Sequence, residues 1–298
     1  MKFGNVDNTE LSQIDLTLPE DHADTNSFLE KSRRKRKVEA KVYVGCAKWG
    51  RVEWVGQIYP EKTKEKEFLD HYVQHFNSIE LNATFYRTRK DHVAGWAEKA
   101  TDGFKFCPKF TRLISHFKRL KGAEEVTDYY IEAVQNFGSH LGLCFLQMPE
   151  NFGPKRFDEL SAYMEYLPTD FPVAVELRHK EWFSDPVVSD ETFSMIRENN
   201  KSIVITDTAG RRDMIHQRLT NDSIFIRFIG YDLDLTDYSR MDQWIDRIIS
   251  WIDGGLKEVY FFVHQGDETH APPIADYMIK ALNKKGGLNI KGPKFINR

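Results

Sequence analysis

From residue 42 onward the chain alternates between short apolar runs and longer stretches whose apolar residues recur at helical spacing. The runs are Val42–Cys46, Ser78–Asn82, Gly103–Lys109, Gly142–Met148, Val173–Leu177, Ser202–Thr206, Ser223–Ile229 and Glu258–Val263. Each has strand length and is rich in Val, Ile, Leu or Phe, the composition of strands covered on both faces. Their starts recur about every 31 residues, the pitch of a repeated βα unit. Between them, Leu69, Tyr72, Val73 and Phe76 share one helical face, and Phe157, Leu160, Met164 and Leu167 share another. Met241, Trp244, Ile245, Ile248, Ile249 and Ile252 form the most sustained stripe, which reads as helix packing against a sheet. This pattern predicts an α/β fold: a (β/α)8 TIM-like barrel over residues 41–298, as a single domain. An open doubly wound sheet is the competing architecture, but no G-x-G-x-x-G turn follows the first strand. The interval 207–222 is too short for a helix and two loops, so the barrel is expected to be irregular around strands six and seven.

Residues 1–40 differ. They are polar and weakly periodic, and they end in Lys31-Ser32-Arg33-Arg34-Lys35-Arg36-Lys37. The expectation is a flexible, solvated N-terminal extension, although such a basic run also suits nucleic acid or an acidic partner. Composition adds little: 41% hydrophobic and 29% charged residues give an ordinary globular balance with enough apolar material for one large core. The formal net charge of -3 argues against a protein that coats nucleic acid through bulk charge. No apolar stretch approaches the roughly 20 residues of a membrane helix, and no signal-peptide core opens the chain, so the expected address is the cytoplasm, with no membrane partner. Cys46, Cys107 and Cys144 match no zinc spacing and sit within or beside apolar runs, where free cysteine is a small hydrophobe.

In a parallel barrel the chemistry collects at the C-terminal strand ends. Those ends carry Lys48 and Trp49; Glu80, Asn82, Thr84 and Tyr86; Lys109; Gln147; Glu176, Arg178 and His179, with Trp182 beyond; Asp207; Arg227; and His264 with Gln265. Charged residues inside apolar runs, such as Glu80, Glu176 and Arg227, cost several kcal/mol to bury unless paired. They mark either an ion-pair network or a working site, and perturbed ionisable groups cluster at the latter. Alternation places Glu176 and Arg178 on the same side of their strand. Arg178 would then clamp a phosphate or carboxylate, or else lock Glu176 as a structural pair. Glu80, Glu176, His179, Asp207 and His264 are also metal-ligand types, but no H-x-H or H-E-x-x-H pair supports a divalent metal, and Lys109, Arg178 and Arg227 would repel it.

The ordered set Gly45-Cys46-Ala47-x-Trp49, Trp54-x-Gly56, Tyr59-Pro60 and Phe76-Asn77-x-Ile79-Glu80-x-Asn82-x-Thr84-Phe85-Tyr86 resembles the YecE-like family, a domain of unknown function. The likeness continues through Gly103-Phe104-x-Phe106, Lys109, Ser115-His116, Gln147-x-Pro149, Val175-Glu176-x-Arg178-His179-x-x-Trp182-Phe183, Asp207 and Arg227-Phe228-x-Gly230. It covers about residues 42–282 and implies a TIM-barrel-like fold, but no reaction. Many members carry Gly-Thr-Ser-Gly-Trp where this chain has Gly45-Cys46-Ala47-Lys48-Trp49, and Asn-Asn where it has His264-Gln265.

Three functional readings stand. The first is a hydrolase acting on a phosphorylated or other anionic substrate, with Glu80, Glu176, His179 and Asp207 as acid/base candidates. Lys109, His116, Gln147, Arg178, Arg227 and His264 would bind the anion and its surroundings. The second is a glycoside-type hydrolase with a Glu80/Glu176 carboxylate pair, where Trp49, Tyr86 and Trp182 stack on sugar; Asn82 is a further substrate-binding candidate. The third is a non-catalytic module for a nucleotide or single-stranded nucleic acid, with rings beside cations.

Overall fold

The computed structural model describes residues 3–4, 6–35 and 39–296; Arg36 and Lys37 of the basic run lie outside them. Among the described residues there are eight strands: β1 (Lys41–Cys46), β2 (Ser78–Leu81), β3 (Lys105–Pro108), β4 (Cys144–Gln147), β5 (Val173–Glu176), β6 (Ser202–Asp207), β7 (Ser223–Ile229) and β8 (Glu258–His264). Helix α1 (Ala23–Lys35) precedes β1. Helices α2 (Phe68–His75), α3 (Lys90–Ala97), α4 (Glu124–Val134), α5 (Phe157–Tyr166) and α6 (Pro186–Glu198) follow β1 to β5 in turn. Helix α7 (Leu235–Gly254) follows β7, and α8 (Ala271–Gly286) follows β8 with prolines in its first turn, where the missing N–H has no helical partner to lose. No helix is long and apolar enough to cross a membrane among the described residues.

The strands pair as a six-stranded parallel sheet in the order β1-β8-β7-β6-β5-β4 and a two-stranded parallel sheet β2-β3. The α/β class and the parallel sense expected from the sequence are both present. The expected eight-stranded barrel is not present as one closed ladder, for two local reasons. Between β1 and β2 side chains replace the backbone pairing. Asn77 Nδ2 donates to Val42 O at 2.9 Å and its Oδ1 accepts from Val44 N at 2.8 Å. The Tyr72 hydroxyl accepts from Cys46 N at 2.8 Å and donates to Ser78 O at 2.9 Å. Gly45 permits this approach, since a Cβ there would lie 2.0 Å from Ser78 O. Between β3 and β4 only isolated parallel bridges form, Phe106 with Leu141 and Lys109 with Phe145.

One face of the sheets packs on the helices, where Trp244, Ile245 and Ile248 of the sustained stripe are fully buried. The opposite face carries a second apolar cluster that includes Tyr43, Cys107, Phe145, Val204, Phe225 and Phe262. All three cysteines are free and buried, as expected of small core hydrophobes.

The β6–β7 connection holds only a 3₁₀ turn, Arg212–Met214, in keeping with its length. Helix α1 lies on the rest of that connection. The buried Thr25 hydroxyl donates to Gln217 O and accepts from Leu219 N, both at 3.0 Å. Asp24 faces Arg197 of α6 and Arg218, each at 3.7 Å. Leu29 packs against Gly254 of α7, and Asp21 accepts from Arg247 of α7 at 2.7 Å. The expectation of a flexible extension is therefore corrected for residues 6–35. They carry Leu11, Leu16, Leu18 and Leu29 into buried positions, and α1 packs on the β6–β7 connection, which has no crossover helix of its own.

Two substitutions test these contacts. Thr25→Val keeps the volume of the side chain but leaves the buried Leu219 N–H unpaired, and a destabilisation of about 1–3 kcal/mol is expected in urea unfolding. Tyr72→Phe should cost a similar amount, about 1–3 kcal/mol, because it leaves Cys46 N–H and Ser78 C=O unpaired at the β1–β2 seam.

Candidate functional site

Side chains on a strand alternate faces, so a step of two residues beyond the inner apolar cluster reaches the same face at the strand ends. That step leads from Cys107 to Lys109, from Phe145 to Gln147, from Ala174 to Glu176, from Val204 to Thr206, from Phe225 to Arg227 and from Phe262 to His264. The register keeps them level: Gln147 pairs with Glu176, and Thr206 with Arg227. The inner face thus changes from apolar to polar within one layer.

Arg227, fully buried, sits at its centre. Its Nε and Nη2 donate to Glu80 at 2.9 Å each, and its Nη1 donates to both oxygens of Glu176 at 3.2 and 3.1 Å. Glu80 also accepts from Asn82 Nδ2 and His264 Nε2, each at 2.9 Å. Glu176 accepts from Arg178 Nε at 2.7 Å and Thr206 Oγ1 at 3.2 Å. Burial works against ionising either carboxyl, but Arg227 and His264 outweigh it and hold Glu80 well below the usual carboxylate range. For Glu176 the same burial is outweighed by Arg178 and Arg227, and it too is lowered. Both are carboxylates at neutral pH.

Lys109 and Arg178 complete the layer. Lys109 Nζ donates to Gln147 Oε1 at 2.8 Å and stands 4.4 Å from the Phe85 ring centroid and 5.6 Å from that of Phe145. Burial, then the charge of Arg227, push its pKa down to about 7. Arg178 Nη2 is buried without a hydrogen-bond partner among the described residues. The ring of Phe3 lies 4.1 Å from the Arg178 guanidinium and 5.1 Å from that of Arg211, which in turn donates to Arg178 O at 2.7 Å. Gly4 anchors this segment, its carbonyl accepting from Thr208 Oγ1, Gly210 N and Tyr231 OH at 2.8, 2.9 and 3.2 Å. The His116 ring packs edge-on against Phe85 at 5.0 Å, and burial, then Lys109 and Arg178, lower its pKa to about 4, so the imidazole is neutral.

Beside Glu80 a cavity of about 240 Å³ opens at the ends of β1 and β2, lined by Lys48, Trp49, Asn82 and Tyr86 among others. Trp49 packs edge-on against Trp96 at 5.4 Å, and Tyr86 is exposed. The structure therefore gathers Trp49, Glu80, Asn82, Tyr86, Lys109, His116, Gln147, Glu176, Arg178, Arg227 and His264 of the sequence candidates.

Three candidates lie elsewhere. Asp207 has the opposite parity and faces α7, where it accepts from Trp244 Nε1 at 2.8 Å, Arg212 at 2.6 Å and Arg240 at 3.1 Å. It ties β6 to the helix layer. Trp182 is fully buried, with its indole donating to Phe152 O at 2.7 Å, and offers no face to a ligand. His179 packs on Gly153 and accepts from Glu181 N at 3.3 Å, away from the polar layer. No group of three or more His, Cys, Asp or Glu that could hold a metal forms among the described residues.

A family model described as "Protein of unknown function DUF72" matches residues 43–294. The chain belongs to the DUF72 family. It is 28% identical over 263 residues to the UPF0759 protein YecE of Escherichia coli (strain K12), across 82% of this chain and 93% of that protein. It is 27% identical over 166 residues to the UPF0759 protein YunF of Bacillus subtilis (strain 168), across 52% of this chain and 57% of that protein. Crystal structures of DUF72 family proteins from Enterococcus faecalis V583 and Thermotoga maritima MSB8 match it with TM-scores of 0.66 and 0.63 at 18% and 22% identity. They cover 85% and 81% of this chain and 99% of their own chains, and carry the fold alone. The DUF72 match begins at residue 43, so α1 and the Phe3–Gly4 segment fall outside it.

Four side chains in or against the polar layer of this DUF72 chain escaped the strand-end candidates: Thr206, Phe85, Phe145 and Phe3. Parity would have found Thr206, since it follows Val204 by two. Nothing in the sequence brings Phe3 to Arg178, 175 positions away.

Lys109 gives a pH test. Its folded pKa of about 7 lies below the ordinary lysine value of 10.5. Between those values the unfolded chain binds the extra proton, so this group adds stability as pH rises and penalises the fold most below pH 7. Lys109→Met removes the penalty, and its stability gain over wild type in urea unfolding should be larger at about pH 6 than at about pH 9, by about 2–3 kcal/mol.

Proposed function

We propose that the polar layer is the binding and reaction site for a small anionic, phosphorylated or carboxylated, ligand. Residues 41–298 would act as one (β/α)8 barrel whose ladder is interrupted at the β1–β2 and β3–β4 seams. The observation that carries the functional reading is the charge balance. Three cations, Lys109, Arg178 and Arg227, share one layer with two carboxylates, Glu80 and Glu176, and Arg178 Nη2 is left unpaired. A phosphate or carboxylate accepting from Arg178 and Lys109 would supply the missing partner and favour the charged form of Lys109.

In this reading the division of labour differs from a carboxylate acid/base pair. Glu80 and Glu176 are held ionised by Arg227 and orient it. Lys109, near its pKa at neutral pH, is the group suited to give or take a proton during a hydrolytic or related step. The glycoside-type alternative is disfavoured, because it needs one carboxyl to remain protonated, and here both bind the same guanidinium.

Sulfate and phosphate titrations, followed by small phosphomonoesters and carboxylates, test the proposal by calorimetry and thermal shift. Sulfate binding should be stronger at about pH 6 than at about pH 9, because Lys109 loses its charge across that range while sulfate keeps its own. Arg178→Gln should weaken it by at least about tenfold, as expected for a lost charge-assisted contact, while His179→Gln leaves it unchanged. Equal binding by Arg178→Gln and wild type would sink the idea.

A further inference from the structure

A second feature stands on the rim next to the mouth. The guanidinium of Arg112 lies 5.7 Å from the ring centroid of Tyr86 and 5.5 Å from that of Phe117. Both rings are 67% exposed, among the most exposed large apolar side chains described, and Leu113 beside them is 40% exposed. Two loops supply these groups, one after β2 and one after β3. The second contains a six-residue π-helix, Leu113–Lys118, closed by Arg119 and Leu120 with φ of 50° and 73°. Two successive side-chain-bearing residues in the left-handed region are costly, and such strain and π-helical turns concentrate at functional sites. Here they turn Phe117 outward while Ile114 and Leu120 stay buried.

The loop after β3 that carries Arg112 and Phe117 holds charge of one sign. No acidic residue occurs from Gly103 to Ala123, a stretch holding Lys105, Lys109, Arg112, Lys118, Arg119 and Lys121. No ion pair engages Arg87, Arg112, Lys118, Arg119 or Lys121 among the described residues, whereas the neighbouring Arg89 and Lys90 are paired with Asp91 and Glu132. Solvent-facing rings flanking a cation, with further cations on the same loops that no carboxylate pairs, form a surface that stacks flat rings and neutralises a chain of negative charges together. A duplex hides its bases from such rings, whereas a single strand presents them.

We propose that the Tyr86–Arg112–Phe117 platform binds single-stranded nucleic acid, stacking unpaired bases on the two rings while Arg112 and the adjacent cations follow the phosphates. The net charge of -3 does not oppose this, because the cations are local to two loops. The platform is independent of the anion reading of the mouth. Among the described residues no hydrogen bond, ion pair or ring contact joins Arg112 or Phe117 to the Arg227 network, and of the three platform residues Tyr86 also lines the Glu80 cavity.

The test is fluorescence anisotropy of the full chain with labelled oligothymidylate and oligouridylate of about 15 nucleotides, compared with a duplex of equal length and with poly-glutamate. The single strands should bind more tightly than the duplex or poly-glutamate, and affinity should fall steeply between about 50 and 200 mM salt. Phe117→Ala and Tyr86→Ala should each weaken single-strand binding about tenfold. Arg112→Glu combined with Phe117→Ala should abolish it while leaving sulfate binding at the mouth unchanged, so that the two proposals fail separately. These side chains are exposed, and circular dichroism would verify that the variants fold. The platform is refuted if the alanine variants bind single strands as wild type does, if wild type binds none, or if poly-glutamate or duplex binds equally well.

Discussion

A guanidinium with no exposed surface must find its acceptors inside the protein, and Arg227 finds them in two carboxylates from different sheets. Glu80 stands at the end of β2 and Glu176 at the end of β5, and the arginine of β7 reaches both. Buried ion pairs of this kind are poor evidence of stability, since well-packed apolar residues of similar volume often serve as well or better. The layer below supplies that comparison within the same molecule. Phe145, Val204, Phe225 and Phe262 fill the inner face two residues earlier on their strands. Packing alone did not demand charge at the strand ends. Removing one partner would leave an uncompensated buried charge at a cost of about 3–5 kcal/mol, so the network holds its members in place even though it is a weak source of net stability.

That arrangement fixes the electrostatics of everything beside it. The two carboxylates are engaged by Arg227, Asn82, His264, Arg178 and Thr206, and among the described residues neither pairs directly with Lys109, which donates instead to the neutral amide of Gln147; their charges favour the ammonium but are outweighed. Its depressed pKa follows from burial and from the arginine charge that the carboxylates keep in place. The sign of the unmet charge also follows: Arg178 Nη2 and Lys109 both lack an anionic partner of their own. Phe3 meets the Arg178 guanidinium with the face of a ring, which attracts a cation but accepts no ordinary hydrogen bond.

Much of this was legible in the sequence, for reasons that also explain the failures. Eight apolar runs marked the eight strands because both faces of each are covered, and the short 207–222 interval correctly lacked an α-helix. Strand-end reasoning gathered Glu80, Lys109, Gln147, Glu176, Arg178, Arg227 and His264 because a charge inside an apolar run needs a partner. It erred at Asp207, where the last polar residue was taken in place of the one with inward parity, and at Trp182, where an aromatic side chain proved to be core. The seam between β1 and β2 was not legible, because Asn77 and Tyr72 stand in for backbone through side-chain bonds that no hydrophobic pattern records. Helix α1 was missed because its buried contacts, Thr25 on Leu219 and Leu29 on Gly254, depend on a gap about 190 to 225 positions away. A polar, weakly periodic segment looks like a tail until the space it fills is known.

The choice of cation at the two places on the rim bears on what each can do. Inside the mouth the group that shares the layer with Arg178 Nη2 is a lysine, whose compact ammonium loses its proton when buried. On the exposed platform the group between the rings is an arginine, which remains charged at any physiological pH and stacks by its plane. A titratable cation suits a site where a proton moves, and a permanent planar one suits a surface that holds a charged chain. Phe85 touches both, its ring centroid 4.4 Å from Lys109 Nζ and 5.2 Å from the ring of Tyr86, which it meets edge-on. One ring therefore touches both the buried lysine and the exposed platform.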